Sequence, residues 1–310
     1  MSDSDSIVIA TRASELALWQ ARFVQHQLEK LYPQLNVTLM PMTTQGDRQL
    51  ATPLSAIGGK GLFVKELEEA LMAGTADIAV HSMKDVPMDL PPGFAMAAIM
   101  EREDPRDAFI SNRYQSLGEL PAGGRVGTSS LRRASQLRSR YPSLMVEPLR
   151  GNVVTRLRKL DDGQYAAIIL AAAGLKRLGL GERIRCLLSI EESLPAVGQG
   201  ALGIECLAER NDLLALLQPL NHMPSSLCVR AEREMSRALA GNCQVPLGGY
   251  AVLHEDRIVL SGFVASPDGN KVLRADAEGA ASDPEIVGAD LARRLREQGA
   301  DAILSALATH

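Results

Sequence analysis

The sequence predicts an α/β protein with two α/β lobes and a small α+β C-terminal domain. Three observations carry this. Strand–helix–strand alternation begins at Ile7 and begins again at Arg125. A charged, proline-containing stretch at 101–107 and a Pro/Gly-rich one at 194–203 supply two crossings between the two series. Beyond about Asn221 the pattern changes to a helix, short strands and tight turns. The expected domains are therefore 1–100 with 200–220, then 101–199, then 221–310.

Residues 7–11 are an apolar run of strand length, and Ser14 stands where the N-cap of a following helix belongs. That helix reaches about Tyr32, with Leu16, Trp19, Phe23, Val24, Leu28 and Leu31 at the helical period. Pro33 ends it, and 37–42 forms a second strand, so the unit is a parallel βαβ. Arg12 sits at a strand's carboxyl end beside a helix N-terminus, where anions bind well; a solvated surface arginine accounts for it equally. Residues 51–61 end in Gly58-Gly59-Lys60-Gly61, without the spacing of a phosphate-binding P-loop. They read as a loop or lid ahead of a helix over 63–73.

The run Ile78-Ala79-Val80 then gives a strand that delivers His81-Ser82-Met83-Lys84-Asp85 ahead of Pro87. Proline disfavours helical geometry at Val86, so the tetrad Ser82 to Asp85 lies in a turn or extended loop at the strand's end. In open α/β sheets, ligands gather at that end. By itself the stretch is also compatible with Asp85 bonding within a turn and Lys84 in solvent.

In the second series, 125–127 ends a strand and Thr128-Ser129-Ser130 caps a helix with Arg132 and Arg133 in its first turn. Arginines there oppose the helix dipole, which argues for binding over stability. The next two junctions bring Arg150 and Arg156, then Lys176 and Arg177, to the same sheet edge, and guanidinium forks suit carboxylates. The segment 194–203 returns the chain to the first lobe, with 203–206 as an added strand. Two lobes joined by two crossings resemble periplasmic solute-binding proteins in architecture. Beyond a helix over 227–239, strands at 250–253, 257–264 and 271–275 are joined by turns at Glu255-Asp256 and Pro267-Asp268-Gly269-Asn270, ahead of a last helix from Pro284 past Arg296.

The 310 residues are 46% hydrophobic and 23% charged, an ordinary globular balance, and the 4% of aromatics disfavours base-stacking nucleic-acid modules. The net charge of −4 conceals 13 Lys/Arg against 4 Asp/Glu between Arg125 and Arg185, which points to an anionic ligand for that stretch. The acidic Met1-Ser2-Asp3-Ser4-Asp5 lacks the basic-then-apolar order of a signal peptide, and the longest apolar run is too short to span a bilayer. Cys186, Cys206, Cys228 and Cys243 show neither zinc-ligand nor disulfide spacing, so no metal is expected and a reduced, cytoplasmic compartment fits. Three of them lie in or near apolar stretches. Cys243 lies in a loop between Gly241 and Pro246, open to a nucleophilic or attachment role.

These motifs together resemble the porphobilinogen deaminase (hydroxymethylbilane synthase) family over nearly the whole chain. The resemblance rests on Thr11-Arg12-Ala13-Ser14, Gly58-Gly59-Lys60-Gly61, His81-Ser82-Met83-Lys84-Asp85, the stretch from Gly127 to Arg133, Arg150-Gly151-Asn152, Ala172-Ala173-Gly174-Leu175, Gly198-Gln199-Gly200 and Gly241-Asn242-Cys243. It implies a transferase that joins four porphobilinogen molecules stepwise, releasing ammonia each time and finally hydroxymethylbilane. The units grow on a dipyrromethane cofactor held by a thioether to Cys243. It further implies Asp85 as catalytic carboxylate, also touching the cofactor. Ser82, Lys84, Ser129, Ser130, Arg132 and Arg133 would hold the cofactor's carboxylates. Arg12, Ser14, Arg150, Arg156, Arg177 and Gln199 would hold substrate or the growing chain. A carboxylate at Asp85 would stabilise positive charge built up on pyrrole nitrogens. The expectation is a cytoplasmic monomer with neither nucleic acid nor membrane as partner. The alternatives are a non-enzymatic two-lobe carboxylate-binding protein, which would leave Cys243 unexplained, and a nucleic-acid binder using the basic segment.

Overall fold

The structure, a computed structural model, describes residues 6–48, 63–239 and 245–308. The expected lid at 51–61 and Cys243 lie outside the described residues. The described residues divide into two compact units, one holding 6–48, 63–102 and 201–226, the other holding 103–200, 227–239 and 245–308.

In the first unit, β1 (Ser6–Arg12) leads to α1 (Glu15–Leu31), β2 (Asn36–Met42), a short α2 (Gln45–Arg48), α3 (Lys65–Met72), β3 (Ile78–Ser82) and β4 (Phe94–Ile99). The second unit takes up β5 (Asp107–Ile110), β6 (Arg125–Gly127), α4 (Leu131–Arg140), β7 (Met145–Glu147), α5 (Val153–Asp161), β8 (Ala167–Ala171), α6 (Ala172–Arg177) and β9 (Cys186–Leu187). The chain then returns to the first unit for β10 (Leu202–Leu207) and α7 (Asn211–Leu217). The first sheet has the order β2-β1-β3-β10-β4 and the second β7-β6-β8-β5-β9. In each, three strands run parallel and the fourth position is antiparallel to its neighbours. The first βαβ unit is parallel as expected, with β1 and β2 in register along their whole length. Pro41 costs no ladder bond because β2 is an edge. The strand expected at 203–206 does join the first sheet, between β3 and β4. Strands β4, β5 and β9 have no counterpart in the sequence reading, and Asp107, expected in a linker, opens β5.

Both faces of the first sheet are covered. Ile7, Ile9, Val37, Ile78, Val80 and Ile204 pack with Ala21, Val24 and Leu28 of α1 on one side. Ala10 and Ala79 pack with Leu67, Ala70 and Leu71 of α3 on the other. The inward stripe of α1 differs from the expected one. It is Ala17, Gln20, Ala21, Val24 and Leu28, whereas Phe23 and Leu31 are exposed and Phe23 stacks on Trp19 at 5.4 Å. Small alanines let the helix lie close to the sheet, which rotates the larger residues outward.

The C-terminal part is a helix, α8 (Met223–Ala238), then a three-stranded antiparallel sheet of β11 (Leu247–His254), β12 (Arg257–Ala265) and β13 (Val272–Ala280), then α9 (Pro284–Glu297) and α10 (Ala300–Ala308). The strands run longer than expected, and α8 begins four residues earlier. The Glu255-Asp256 turn is a two-residue hairpin with Glu255 at φ 54°, the left-handed geometry that matches strand twist. Glu232 of α8, fully buried, accepts hydrogen bonds from the Gly198 N–H (2.7 Å) and the Ala251 N–H (2.9 Å), tying the return segment to this sheet. Among the described residues no helix is long and apolar enough to cross a membrane.

Helix α9 crosses α8 at Gly288, where a Cβ would stand 2.3 Å from the Ala231 carbonyl oxygen. Backbone cannot yield as a flexible side chain can, so Gly288→Val should destabilise the fold by about 1–3 kcal/mol through overpacking. A lowered urea midpoint with unchanged slope would register this, and an unchanged midpoint would contradict the close crossing.

Candidate active site

The described site residues from the sequence fall into one group in each unit, most of them at the carboxyl ends of that unit's parallel strands, with Arg177 at the end of α6 and Gln199 in the return segment. In the first unit, Arg12 closes β1, and Ser14 caps α1 by accepting the Ala17 N–H at 3.4 Å. β3 ends at Ser82, and Met83–Asp85 makes one 3₁₀ turn whose Val86 N–H bonds back to the Met83 carbonyl. Val86 then takes the extended geometry (φ −78°, ψ 129°) that Pro87 requires, as the sequence predicted. The turn brings Asp85 beside Arg12, Ser14, Gln20, Phe63 and Ser82 around a cavity of about 50 Å³. Ser82 is held by the Gln20 amide, whose Nε2 donates to its Oγ at 2.9 Å.

Arg12 is already oriented. Its guanidinium forms a fork on Asp47, with Nε donating to Oδ2 at 3.1 Å, and lies over the Phe63 ring at 4.2 Å. Burial would raise the Asp47 carboxyl, but Arg12 and Thr44 hold it below the usual range. Sequence reasoning named Arg12 and missed both Asp47 and Phe63, whose packing arises from α2 and the start of α3.

In the second unit, Asn152 caps α5 by accepting the Thr155 N–H (2.8 Å), as Ser130 caps α4 through the Arg133 N–H (3.4 Å). Ser129 Oγ donates to the Leu149 carbonyl at 2.8 Å and accepts its N–H at 3.0 Å, clamping two β-to-α junctions together. Arg150 and Arg156 are half-buried at the start of α5, with Arg156 Nε donating to the Gly151 carbonyl (2.7 Å). Arg177 ends α6, donates to the Gly200 carbonyl (2.7 Å), and is pushed down to about 10 by burial, against the pull of Glu103.

Arg132, Arg133 and Gln199 converge on Asp107, which is fully buried. Arg132 donates from both terminal nitrogens (2.8 and 3.0 Å), Arg133 from Nε (2.9 Å), Gln199 from Nε2 (3.0 Å) and Ser193 from Oγ (2.7 Å). Burial would raise the Asp107 carboxyl, yet the two guanidinium charges hold it far below the ordinary carboxylate range. The arginines of the α4 first turn are therefore neutralised in part from within, a counter-charge the dipole argument lacked. One carboxylate faces two guanidiniums, so the buried cluster keeps a net positive charge. Burial pushes Arg132 downward despite Asp107, and among the described residues its buried Nε has no hydrogen-bond partner.

Each unit by itself holds groups of the kind a polycarboxylated dipyrrole binds. Carboxylates bind cations and hydroxyls, and the first unit holds Arg12, Ser14, Ser82 and Lys84 while the second holds Ser130, Arg132, Arg150, Arg156 and Arg177; pyrrole N–H groups bind a carboxylate, and the first unit's cavity holds Asp85. The basic excess of 125–185 is partly spent internally, since Arg125 pairs with Glu147 and Arg183 with Asp161.

Comparison with known proteins agrees. The profile of the porphobilinogen deaminase dipyrromethane cofactor binding domain matches residues 7–215, and that of the porphobilinogen deaminase C-terminal domain matches 226–297. The porphobilinogen deaminase of Methylobacillus flagellatus is 63% identical over 307 residues, covering 99% of both chains. That of Laribacter hongkongensis is 62% identical over 97% of this chain and 98% of its own. Among solved structures, the methionine-binding protein MetQ is similar at a TM-score of 0.46 and 15% identity, over 70% of this chain and 90% of that one.

Removing the Asp107 charge should leave two buried guanidiniums uncompensated. Asp107→Asn is expected to lose about 3–5 kcal/mol at neutral pH, read from urea unfolding. The depressed carboxyl of Asp107 stabilises the fold above the unfolded value of about 4, and that contribution is lost as pH falls toward its folded value. The gap between wild type and variant should thus narrow in acid. A constant gap would mean that Asp107 is not the charged partner.

Proposed function

Because the chain belongs to the porphobilinogen deaminase family, we propose that Asp85 is its catalytic carboxylate and that Cys243 carries its dipyrromethane. The activity is that of the family, stepwise deamination and joining of four porphobilinogen molecules to give hydroxymethylbilane. The observation that carries the site assignment is the one cavity in which Asp85, Arg12, Ser14 and Ser82 meet.

Bound dipyrromethane supplies the free pyrrole position to which the first unit is joined. The protein's part is electrostatic and positional. Asp85 accepts pyrrole N–H bonds and stabilises positive charge that develops there; it also holds or releases a proton as amine departs. Arg12, fixed by Asp47 and Phe63, presents a pre-oriented guanidinium to substrate carboxylates, with Ser14 beside it. Ser82 and Lys84 at the end of β3, and Ser129, Ser130, Arg132 and Arg133 at the start of α4, hold cofactor carboxylates. Arg150, Arg156, Arg177 and Gln199 hold the lengthening chain. Residues 221–310 act as a third domain carrying the cofactor.

The other cysteines support Cys243 as the tether. Cys206 and Cys228 are buried, burial pushes Cys206 up to about 11, and burial raises Cys186. Thiols held protonated are poor nucleophiles. The same reading takes the enzyme as a cytoplasmic monomer, in keeping with cysteines that lack pairing spacing. A two-lobe carboxylate-binding protein would use the arginines but is not favoured, since it has no need of Asp85 or Cys243.

Intact mass of the denatured protein tests the tether. An excess of two linked pyrroles is expected in wild type and none in Cys243→Ser; a loaded Cys243→Ser protein would refute the attachment. Asp85→Ala should lower kcat by at least about 100-fold with an unchanged circular dichroism spectrum. Turnover near wild type would remove Asp85 from the mechanism.

A further inference from the structure

Beside the Asp85 cavity lies a cluster of three ionisable side chains that carboxylate binding does not use. His81, 5% exposed, lines that cavity, and its Nε2 stands 2.8 Å from Oε2 of Glu205, which is 1% exposed. Glu205 lies on β10, paired so that Gly203 faces His81 and Glu205 faces Ala79, which puts both acidic and imidazole groups on the sheet face covered by α3. Glu68 of α3 comes near enough for the charges of both to act on it, and burial together with Glu205 raises its carboxyl. Among the described residues, Oε1 of Glu205 and Oε1 of Glu68 are buried without a hydrogen-bond partner. Otherwise this face is apolar, built from Ala10, Leu67, Ala70, Leu71 and Ala79. Packing alone would be served as well by hydrophobic residues, since a buried ion pair seldom adds net stability. Buried orphan carboxylate oxygens beside an active site call for a chemical reason.

Nε2 is the ring nitrogen that meets Glu205, and among the described residues none hydrogen-bonds Nδ1. With an ionised Glu205 as acceptor, Nε2 carries the hydrogen and Nδ1 the lone pair. We infer that His81 is the proton-relay residue of the Asp85 cavity, accepting a proton on Nδ1 and returning it while Glu205 and Glu68 stabilise the imidazolium. This rests on the deaminase reading. For each unit joined, the C–N bond of the substrate breaks and nitrogen leaves with the electron pair as ammonia. The new C–C bond takes its pair from a pyrrole carbon, which then sheds its proton. Ammonia takes one up as ammonium, so protons balance, and one must be held between carbon and nitrogen. Among the described residues, Glu205 of β10 meets the imidazole, Glu68 of α3 lies within reach of its charge, and Asp85 from the turn after β3, Arg12 of β1 and the neutral Gln20 of α1 line the same cavity.

Nitrogen-15 NMR of histidine-labelled wild type reads the tautomer directly. The Nε2–H form with a titrating Nδ1 is expected, and an Nδ1–H tautomer at neutral pH would overturn the relay. His81→Gln should lower kcat by about 10²-fold or more with KM little changed and the covalent dipyrrole mass retained. The acid limb of its kcat profile, where a protonated His81 is inactive, should vanish. Glu205→Gln keeps an acceptor but removes the charge, so it should move both that limb and the NMR titration of His81 to lower pH. Wild-type kcat and pH profile in His81→Gln, or an unmoved titration in Glu205→Gln, would sink the relay. Should His81→Gln not fold, the tautomer and Glu205→Gln decide. A wild type that fails to turn over porphobilinogen strikes the deaminase reading itself, whereas an active wild type with an unaffected His81→Gln strikes only the relay.

Discussion

One buried carboxylate organises the second unit. Asp107, at the first position of β5, gathers α4 through Arg132 and Arg133 and the return segment through Ser193 and Gln199. With no solvent to screen it, each of these bonds is stronger than at a surface, and each would be costly to leave unmade. The arrangement holds long, flexible arginine side chains in one geometry before any ligand arrives. Because two positive groups share one negative group, it does so without cancelling their charge, so the first turn of α4 is both rigid and under-neutralised.

The first unit uses the same device on a smaller scale. Arg12 is fixed by Asp47 and backed by Phe63, and Ser82 is fixed by Gln20. Arg12 and Ser82 thus line one cavity with their rotamers already chosen. The ordering entropy of these side chains is met at folding, so less of it is charged to binding.

The sequence disclosed those features that local chemistry dictates. Apolar runs ending in polar residues marked β1, β3, β6 and β8, and small polar residues ahead of helices marked the caps Ser14, Ser130 and Asn152. Proline at 87 foretold the turn that presents Asp85. What stayed hidden depends on pairing between distant segments. Strand β9 has two residues and β5 four, too short for a periodic signal, and the reversed direction of β10 is set by its neighbours rather than its own residues. Asp107 looked like one more charge in a charged linker; only the apolar Ala108-Phe109-Ile110 behind it hinted at burial. The partners Asp47 and Glu205 lie 35 and 124 residues from the groups they hold, beyond any spacing rule. The stripe on α1 was misjudged because size, not hydrophobicity alone, decides which residues a close-packed sheet admits.

The order of strands has a consequence for how the protein is made. In the first sheet, β10 is the partner of both β3 and β4, so during synthesis β3 and β4 both exist for about a hundred residues before the strand that joins them. Through that interval β3, which ends at Ser82, is a bare apolar edge, and β4 has no neighbour in its own sheet. The nascent N-terminal lobe is therefore an incomplete template, open to wrong strands as well as to the right one. In the second unit the wait is shorter, since β5 stands without a partner only until β8 begins at Ala167. The second sheet has its last strand by Leu187, before β10 begins at Leu202, so the middle closes before the beginning is complete.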